Sequence, residues 1–169
     1  GTTTDKIFSM LESVRKNTDI PMVFMTYANI VFSYGIDRFA EKSKKLKIDG
    51  IILPDVPYEE KKEFDSIFKN YNIDFISLIA PTSEERISAI AKDSNGFIYC
   101  VSSLGVTGIR ENINTNIEKM VNLVKSVNNI PVAVGFGIST PKQAKEMSKY
   151  ADGVIVGSAI VKLCEEYGE

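Results

Sequence analysis

The stretch Pro131-Val132-Ala133-Val134-Gly135-Phe136-Gly137-Ile138-Ser139 joins an apolar run directly to a glycine-rich turn. Two more turns of this kind, Gly105-Val106-Thr107-Gly108 and Gly157-Ser158-Ala159, also follow apolar runs. If each run is a buried strand, the three turns converge at one end of a sheet, where a main chain without bulky side chains can approach a ligand closely. Main-chain N–H groups at a helix start favour an anion, and barrels of alternating strands and helices often bind phosphate after their seventh and eighth strands. The three turns therefore predict a phosphate site.

Apolar runs alternate with amphipathic segments along the whole chain. The predicted strands, each too short for a helix and apolar on both faces, are Met22–Thr26, Ile51–Leu53, Asp74–Ile79, Phe97–Val101, Pro131–Val134 and Val154–Val156. The predicted helices are Asp5–Lys16, Ile36–Leu46, Glu60–Asn70, Ser83–Ala91, Thr115–Val127 and Pro141–Lys149. This alternation indicates an α/β fold in one domain over residues 1–169, with a parallel sheet covered on both sides. The long connection from Ser102 to Asn114 is expected to be a binding loop.

Composition excludes several classes of function. The chain has 169 residues, a net charge of -2 and lysines scattered through helical stretches, which argues against nucleic-acid binding. No apolar run reaches the length of a membrane span, and the stretch Gly1-Thr2-Thr3-Thr4-Asp5 lacks the basic and apolar regions of a signal peptide. We expect a cytoplasmic protein with neither a nucleic-acid nor a membrane partner.

The sequence contains no histidine, and this limits the chemistry. Ser-His triads and histidine-ligated zinc are excluded, so that proton transfer falls first to carboxylates. The two cysteines, Cys100 and Cys164, have no metal-ligand spacing and are too few for a disulfide framework. We expect both to be small buried hydrophobic residues, and we expect no metal site.

Five motifs in a fixed order point to a family. They are Tyr27-Ala28-Asn29-Ile30-Val31-Phe32, Leu53-Pro54-Asp55-Val56-Pro57-Tyr58-Glu59-Glu60, Ser103-Leu104-Gly105-Val106-Thr107-Gly108, Gly135-Phe136-Gly137-Ile138-Ser139 and Gly157-Ser158-Ala159-Ile160-Val161. Together they resemble the tryptophan synthase alpha chain, from Gly1 to the end of the sequence. The resemblance implies an eight-stranded (β/α) TIM barrel, which takes about 250 residues. We expect this chain to supply about six of its β/α units and to be incomplete at both ends, without the first two strands and the last helix.

The same resemblance implies an activity, the retro-aldol cleavage of indole-3-glycerol phosphate to indole and glyceraldehyde 3-phosphate in tryptophan biosynthesis. Such a carbon–carbon lyase needs an acid for the indole ring carbon and a base for the glycerol hydroxyl. The family's catalytic glutamate and aspartate correspond to positions upstream of Gly1, so we expect this chain alone to be inactive. An alternative is a catalytically silent phosphate-binding fragment or a binding subunit that activates a beta partner. Another phosphate-binding barrel is a third possibility, against which the motif Asp55-Val56-Pro57 argues.

Site residues follow from the resemblance, position by position. The family's phosphate cradle corresponds to Gly108, Gly137, Gly157 and Ser158. Supporting roles correspond to Asp55, which would organise the catalytic loops, Tyr99, which would reach the substrate, and Thr107, which would contact the absent loop aspartate. The indole pocket corresponds to Met25, Ile52, Ile79, Phe136 and Ile155. Structural readings stay open beside these: the glycines could merely end strands, Asp55 could belong to a turn, Tyr99 could be a core residue, and the apolar set could be barrel filling.

A partner is implied as well. Family members dock on a beta subunit that carries pyridoxal phosphate, in an alpha2beta2 heterotetramer, so we expect no cofactor in this chain. The docking surface corresponds to Asn29, Phe32, Pro57 and Tyr58. The run Ile30-Val31-Phe32 looks exposed, which is consistent with an interface, although an ordinary helix start packed on the barrel would show the same residues.

Overall fold

The computed structural model describes residues 1–101, 110–135 and 137–168. The chain divides into two compact units, Gly1–Ile76 and Ser77–Glu169. Both consist of parallel strands with helices between them, as the alternating pattern of the sequence predicts.

The first unit has four helices and a three-stranded sheet. Its elements in chain order are α1 (Thr4–Arg15), β1 (Val23–Met25), α2 (Ala28–Tyr34), α3 (Ile36–Lys45), β2 (Gly50–Ile52), a short 3-10 helix (Tyr58–Glu60), α4 (Lys61–Asn70) and β3 (Asp74–Phe75). The strands run parallel in the order β1-β2-β3. Helix α1 begins where the Thr3 hydroxyl accepts a hydrogen bond from Lys6 N, which satisfies one of the free N–H groups of its first turn.

Aromatic rings form the core of the first unit. Phe8 on α1 lies 5.7 Å from the ring of Phe24 on β1 and 5.2 Å from that of Phe39 on α3. These edge-to-face arrangements suit the charge distribution of aromatic rings. On either side of half-buried Phe24, Val23 and Met25 are 39% and 57% exposed. The expectation of a strand buried on both faces is therefore wrong for β1, because the described helices cover only the face that carries Phe24.

The described residues of the second unit form four helices and a four-stranded sheet. Its elements are β4 (Ser77–Ile79), α5 (Glu84–Lys92), β5 (Ile98–Val101), α6 (Arg110–Val127), β6 (Val132–Gly135), α7 (Pro141–Met147), β7 (Gly153–Ile155) and α8 (Ser158–Tyr167). The strands run parallel in the order β4-β5-β6-β7. The two central strands carry the buried residues Ile98, Cys100, Val132 and Val134. These four share one face of the sheet, because Ile98 pairs with Val132 and Cys100 with Val134. Tyr99, on the other face, is also buried, as a parallel sheet with two covered faces requires.

The expected six β/α units are present, with differences in their bounds. The predicted strand Asp74–Ile79 is interrupted at Ile76, so that β3 belongs to the first compact unit and β4 to the second. Helix α2 is not among the predicted helices, although a helix start at Ile30-Val31-Phe32 was one of the open alternatives. Helix α6 begins at Arg110, before the predicted end of the long connection. A ten-residue helix, α8, follows Gly157, where no complete helix was expected. The single domain over residues 1–169 stays a prediction.

The two cysteines differ in their surroundings. Cys100 in β5 is fully buried, as predicted, and burial raises the pKa of its thiol to about 12. Cys164 is exposed, so its predicted burial is wrong. The reason is α8 itself, in which none of the described side chains is buried and Val161 is 65% exposed. None of the helices in the described ranges is both long and apolar enough to cross a membrane.

The carboxylate of Asp152 connects the starts of β6 and β7 with the end of α6. It accepts hydrogen bonds from Lys125 Nζ at 2.6 Å and from Val132 N at 2.8 Å. Lys125 Nζ also donates to the carbonyl of Ile130 at 3.0 Å. The hydrogen bond from Lys125, and then that from Val132, lowers the pKa of Asp152. The carboxylate thus fixes the end of α6 against the first residues of β6 and β7.

Glycine is required at the end of β6. A Cβ atom on Gly135 would lie 2.7 Å from Tyr99 Oη and 2.8 Å from Ile155 Cβ. Tyr99 and Ile155 come from the strands on either side, so neither can move without disturbing the sheet. By contrast, a Cβ atom on Gly153 would have its nearest neighbour, the Cβ of Ala133, at 3.8 Å, an ordinary contact. The tyrosine ring therefore occupies space that only a glycine leaves free.

We expect Asp152→Asn to lower the free energy of unfolding at pH 7 by about 0.5–1 kcal/mol, since the carboxylate is half exposed. Because its folded pKa lies below the unfolded value of 3.8, this stabilisation is present above pH 3.8 and disappears as the pH falls through the folded pKa. Urea unfolding at pH 7 and at pH 3 measures it. Asp19→Asn, which breaks an ion pair exposed on both sides, is the control. This role is contradicted if wild type and Asp152→Asn differ in free energy of unfolding by the same amount at pH 7 and at pH 3.

We expect Gly135→Ala to lower the free energy of unfolding by about 1–3 kcal/mol, because the added methyl group overlaps Tyr99 and Ile155. Gly153→Ala is the matched control and should change it by less than about 1 kcal/mol. Chemical unfolding followed by far-ultraviolet circular dichroism compares the two variants. Equal losses of stability in both would show that the contact at Gly135 is not the cause.

Candidate functional site

The register of the second sheet places two of the predicted phosphate turns side by side. Gly135 of β6 pairs with Ile155 of β7, and both strands run in the same direction. Gly137 and Gly157 each follow two residues later, so the two turns leave the sheet at the same edge. Carboxyl ends of neighbouring parallel strands are where barrels bind their ligands. The predicted residues Thr107, Gly108 and Phe136 lie outside the described residues.

The second of these turns leads into a helix without a side-chain cap. Gly157 is the N-cap of α8, and its carbonyl accepts from Ile160 N at 2.9 Å and from Val161 N at 3.1 Å. A Cβ atom on Gly157 would meet nothing within 4 Å, so packing does not explain the glycine. Ser158, the first helical residue, is exposed. Open space in front of free N–H groups at a helix start is a favourable place for an anion.

The first turn is built differently. Gly137 has a φ of +76°, a conformation that favours glycine, and Ile138 after it is 4% exposed. Helix α7 then begins with Pro141 in its first turn and the Thr140 hydroxyl accepting from Gln143 N at 3.2 Å. This confirms the predicted start of that helix at Pro141.

One functional candidate escaped sequence reasoning. Gln143 N donates to the Thr140 hydroxyl, and the Gln143 side chain in turn accepts from Thr140 N. The two hydrogen bonds together form a capping box. A threonine followed three residues later by glutamine is visible in the sequence and carries this meaning. The pattern predicts a helix start, and it does not by itself predict a role next to a ligand.

Tyr99 lies on β5, where it pairs with Ala133, and its side chain reaches the start of the first turn. Its side chain is 6% exposed, and its hydroxyl faces the Cα of Gly135, where the first turn begins. Burial raises the pKa of Tyr99, so the hydroxyl stays protonated and is a hydrogen-bond donor at neutral pH. Of the predicted indole residues in this unit, Ile79 is fully buried and Ile155 is partly buried.

Asp55 belongs to the first unit, just past the end of β2. Its two carboxylate oxygens accept hydrogen bonds from Ala28 N at 3.0 and 3.1 Å. Ala28 is the first residue of α2, whose N-cap residue, Tyr27, offers no side-chain hydrogen bond. The aspartate therefore caps a helix from the neighbouring strand end and joins the two connections. Of the predicted indole residues here, Met25 is exposed and Ile52 is buried, although their strands pair at these positions.

The predicted docking residues divide between α2 and the segment after Asp55. Asn29 and Pro57 are exposed and Tyr58 is partly buried. Phe32 is 54% exposed, while its ring centroid lies 5.0 Å from that of Phe64 on α4. Val31 is fully buried, so the exposure predicted for Ile30-Val31-Phe32 is wrong at its middle residue. One side of α2, which carries Val31, packs on the rest of the first unit, and Asn29 and Phe32 are exposed outside that side.

Comparisons with known proteins agree on one family. The family model described as tryptophan synthase alpha chain matches residues 1–169. The tryptophan synthase alpha chain of Lacticaseibacillus casei is 49% identical over 160 residues, which are 95% of this chain and 60% of the relative. That of Thermoanaerobacter sp. (strain X514) is 48% identical over 156 residues, 92% of this chain and 60% of the relative. The chain thus spans about three fifths of the length of these curated relatives.

Solved structures give the same answer. The tryptophan synthase subunit alpha from Campylobacter jejuni superimposes with a TM-score of 0.92 at 37% identity, covering 100% of this chain and 67% of that one. A structure of the tryptophan synthase a2b2 complex from Pyrococcus furiosus gives 0.86 at 34% identity, covering 99% of this chain and 68% of that one. The parallel β/α units described above therefore correspond to part of a (β/α)8 barrel, and the chain belongs to the tryptophan synthase alpha chain family.

Proposed function

We propose that this chain is the phosphate-binding part of a tryptophan synthase alpha subunit, a carbon–carbon lyase that cleaves indole-3-glycerol phosphate to indole and glyceraldehyde 3-phosphate. One observation carries the proposal. The start of α8 has no side-chain cap and opens at Gly157 onto free space, next to the turn at Gly137. Helices α3 and α4 also lack a side-chain cap, so the missing cap points to a ligand only together with the open space at Gly157 and the neighbouring turn. A bound phosphate would do at α8 what a hydroxyl does at α1, α5 and α7.

The chemistry of the two turns suits a phosphate ester. Free N–H groups in the first turn of α8 and the positive end of its dipole favour a negative charge. Gly137 and Gly157 carry no side chains that would keep the ligand away from the main chain. The Ser158 hydroxyl adds a side-chain donor at the same position. Such a site holds the phosphate end of the substrate and leaves its carbon skeleton free for chemistry elsewhere.

The residues proposed to support the reaction act by position. Asp55 fixes the start of α2 through its two hydrogen bonds to Ala28 N. Tyr99, kept protonated by burial, can donate a hydrogen bond to the substrate or to a carboxylate beside it. Cleavage of the carbon–carbon bond needs a proton delivered to the indole ring carbon and another taken from the glycerol hydroxyl. We propose that the carboxylates for these transfers correspond to positions upstream of Gly1, and that Thr107 contacts one of them.

A catalytically silent binding subunit is the second candidate. The observation in its favour is that Asp55, the carboxylate at a strand end that resembles a functional one, is already engaged as a helix cap. Phosphate binding by the two turns would be the same in both candidates. Only turnover separates them.

The proposed partner is a tryptophan synthase beta chain in an alpha2beta2 complex in the cytoplasm. Support comes from the Pyrococcus furiosus structure, which is described as showing mutual activation within the a2b2 complex. The exposed faces of Asn29, Phe32 and Pro57, with Tyr58 beside them, would form the docking surface. Pyridoxal phosphate would be bound by the beta chain.

We expect glycerol 3-phosphate to bind the chain and Gly157→Val to abolish that binding measurably by isothermal titration calorimetry. A side chain at this position meets no protein atom near its Cβ, so the fold should persist while the space for the ligand is filled. Gly137→Val should also abolish binding, with an added loss of stability from its φ of +76°. Gly153→Ala, away from the turns, should bind normally. Unchanged affinity in Gly157→Val would remove the site at α8.

We expect residues 1–169 alone to release no indole from indole-3-glycerol phosphate above background. Loss of one acid–base group typically costs a factor of about 100 to 10,000, and two are involved here. A spectrophotometric assay of indole, with a full-length family member as the positive control, measures this. Turnover by a preparation whose intact mass matches 169 residues would show that Asp55, Tyr99 or another local group performs the proton transfers.

A further inference from the structure

Gln143 makes more contacts with the turn before α7 than a capping box requires. Its side-chain oxygen Oε1 lies 3.1 Å from Thr140 N, the contact that completes the box. The same oxygen also lies 3.0 Å from Ser139 N. The hydroxyls of Ser139 and Thr140 are 3.1 and 3.2 Å away. One partly buried amide thus gathers the polar groups of two consecutive residues.

These contacts decide which main-chain donors of the turn remain for a ligand. An amide oxygen has two acceptor positions, and the N–H groups of Ser139 and Thr140 fill them. The N–H groups of Gly137 and Ile138 have no hydrogen-bond partner within the described part of the chain. Gln143 therefore occupies the N–H groups of Ser139 and Thr140, next to the helix. The N–H groups of Gly137 and Ile138, closer to the strand, remain for a ligand.

The same contacts hold the turn in one conformation. At its start Gly137 has a φ of +76°, and at its middle Ile138 is buried. At its end Gln143 holds the main chain of Ser139 and Thr140. A turn fixed at all three points loses little freedom when an anion binds, which strengthens binding.

We propose that Gln143 is a positioning residue for phosphate binding: its amide oxygen fixes the turn Gly137–Thr140 and directs the anion to the N–H groups of Gly137 and Ile138. This rests on the proposed phosphate site. It adds a residue that touches no ligand and acts through the main chain.

The test compares Gln143→Met, which keeps the length of the side chain and removes the oxygen, with Thr140→Ala. The alanine variant removes the hydroxyl cap of α7 and keeps the hydrogen bonds from Ser139 N and Thr140 N to Gln143. Both variants should lose stability, because each weakens the start of α7. Affinity for glycerol 3-phosphate, measured by calorimetry on the 169-residue chain, should fall about tenfold in Gln143→Met and less than twofold in Thr140→Ala.

Amide hydrogen exchange provides a readout that needs no ligand. In the wild type the N–H groups of Ser139 and Thr140 should exchange slowly, and in Gln143→Met both should exchange fast. Equal affinity in wild type and Gln143→Met, or an equal loss in both variants, would overturn the inference, since the oxygen would then have no special effect. A wild type that binds no glycerol 3-phosphate would instead overturn the phosphate site, and the inference with it.

Discussion

The contact between Tyr99 and Gly135 is the constraint from which the second unit is organised. The ring fills the volume above a residue that has no side chain, and a side chain there would collide with Tyr99 on β5 and Ile155 on β7. The register of β6 and β7 brings the ends of these two strands to one level. The position of the two glycine turns is a consequence of strand pairing, and no contact between the turns themselves is needed to explain it.

In the first unit, a charged side chain connects neighbouring elements. In place of a tight fit, the carboxylate of Asp55 spans from the end of β2 to the first N–H group of α2. The hydrogen bonds of the aspartate are compatible both with a turn residue and with an organiser of loops. It sits in a turn after a strand, and it joins two connections that are far apart in the sequence.

Periodicity and motif order were sufficient for the fold class, for the β/α units and for the shared sheet edge of Gly137 and Gly157. They were sufficient because buried parallel strands have a composition that few other elements share. The failures had physical causes. Ile76, at the interruption, is itself apolar and buried, so no pattern marks it. Exposure of Cys164 and Met25 depends on what covers a helix or a strand face, and hydrophobicity does not report that. Gln143 was missed because its role lies in the geometry of one oxygen.

The difference between the two thiols has a practical side. Cys100 is enclosed by the sheet and holds its proton up to a pH of about 12, whereas Cys164 stands on the surface of α8. Since the thiolate is the form that reacts, an alkylating dye added at mild pH will attach to the helix and spare the sheet. Cys164 therefore allows a fluorescent label to be attached to α8, whose first turn faces the proposed phosphate, without any substitution.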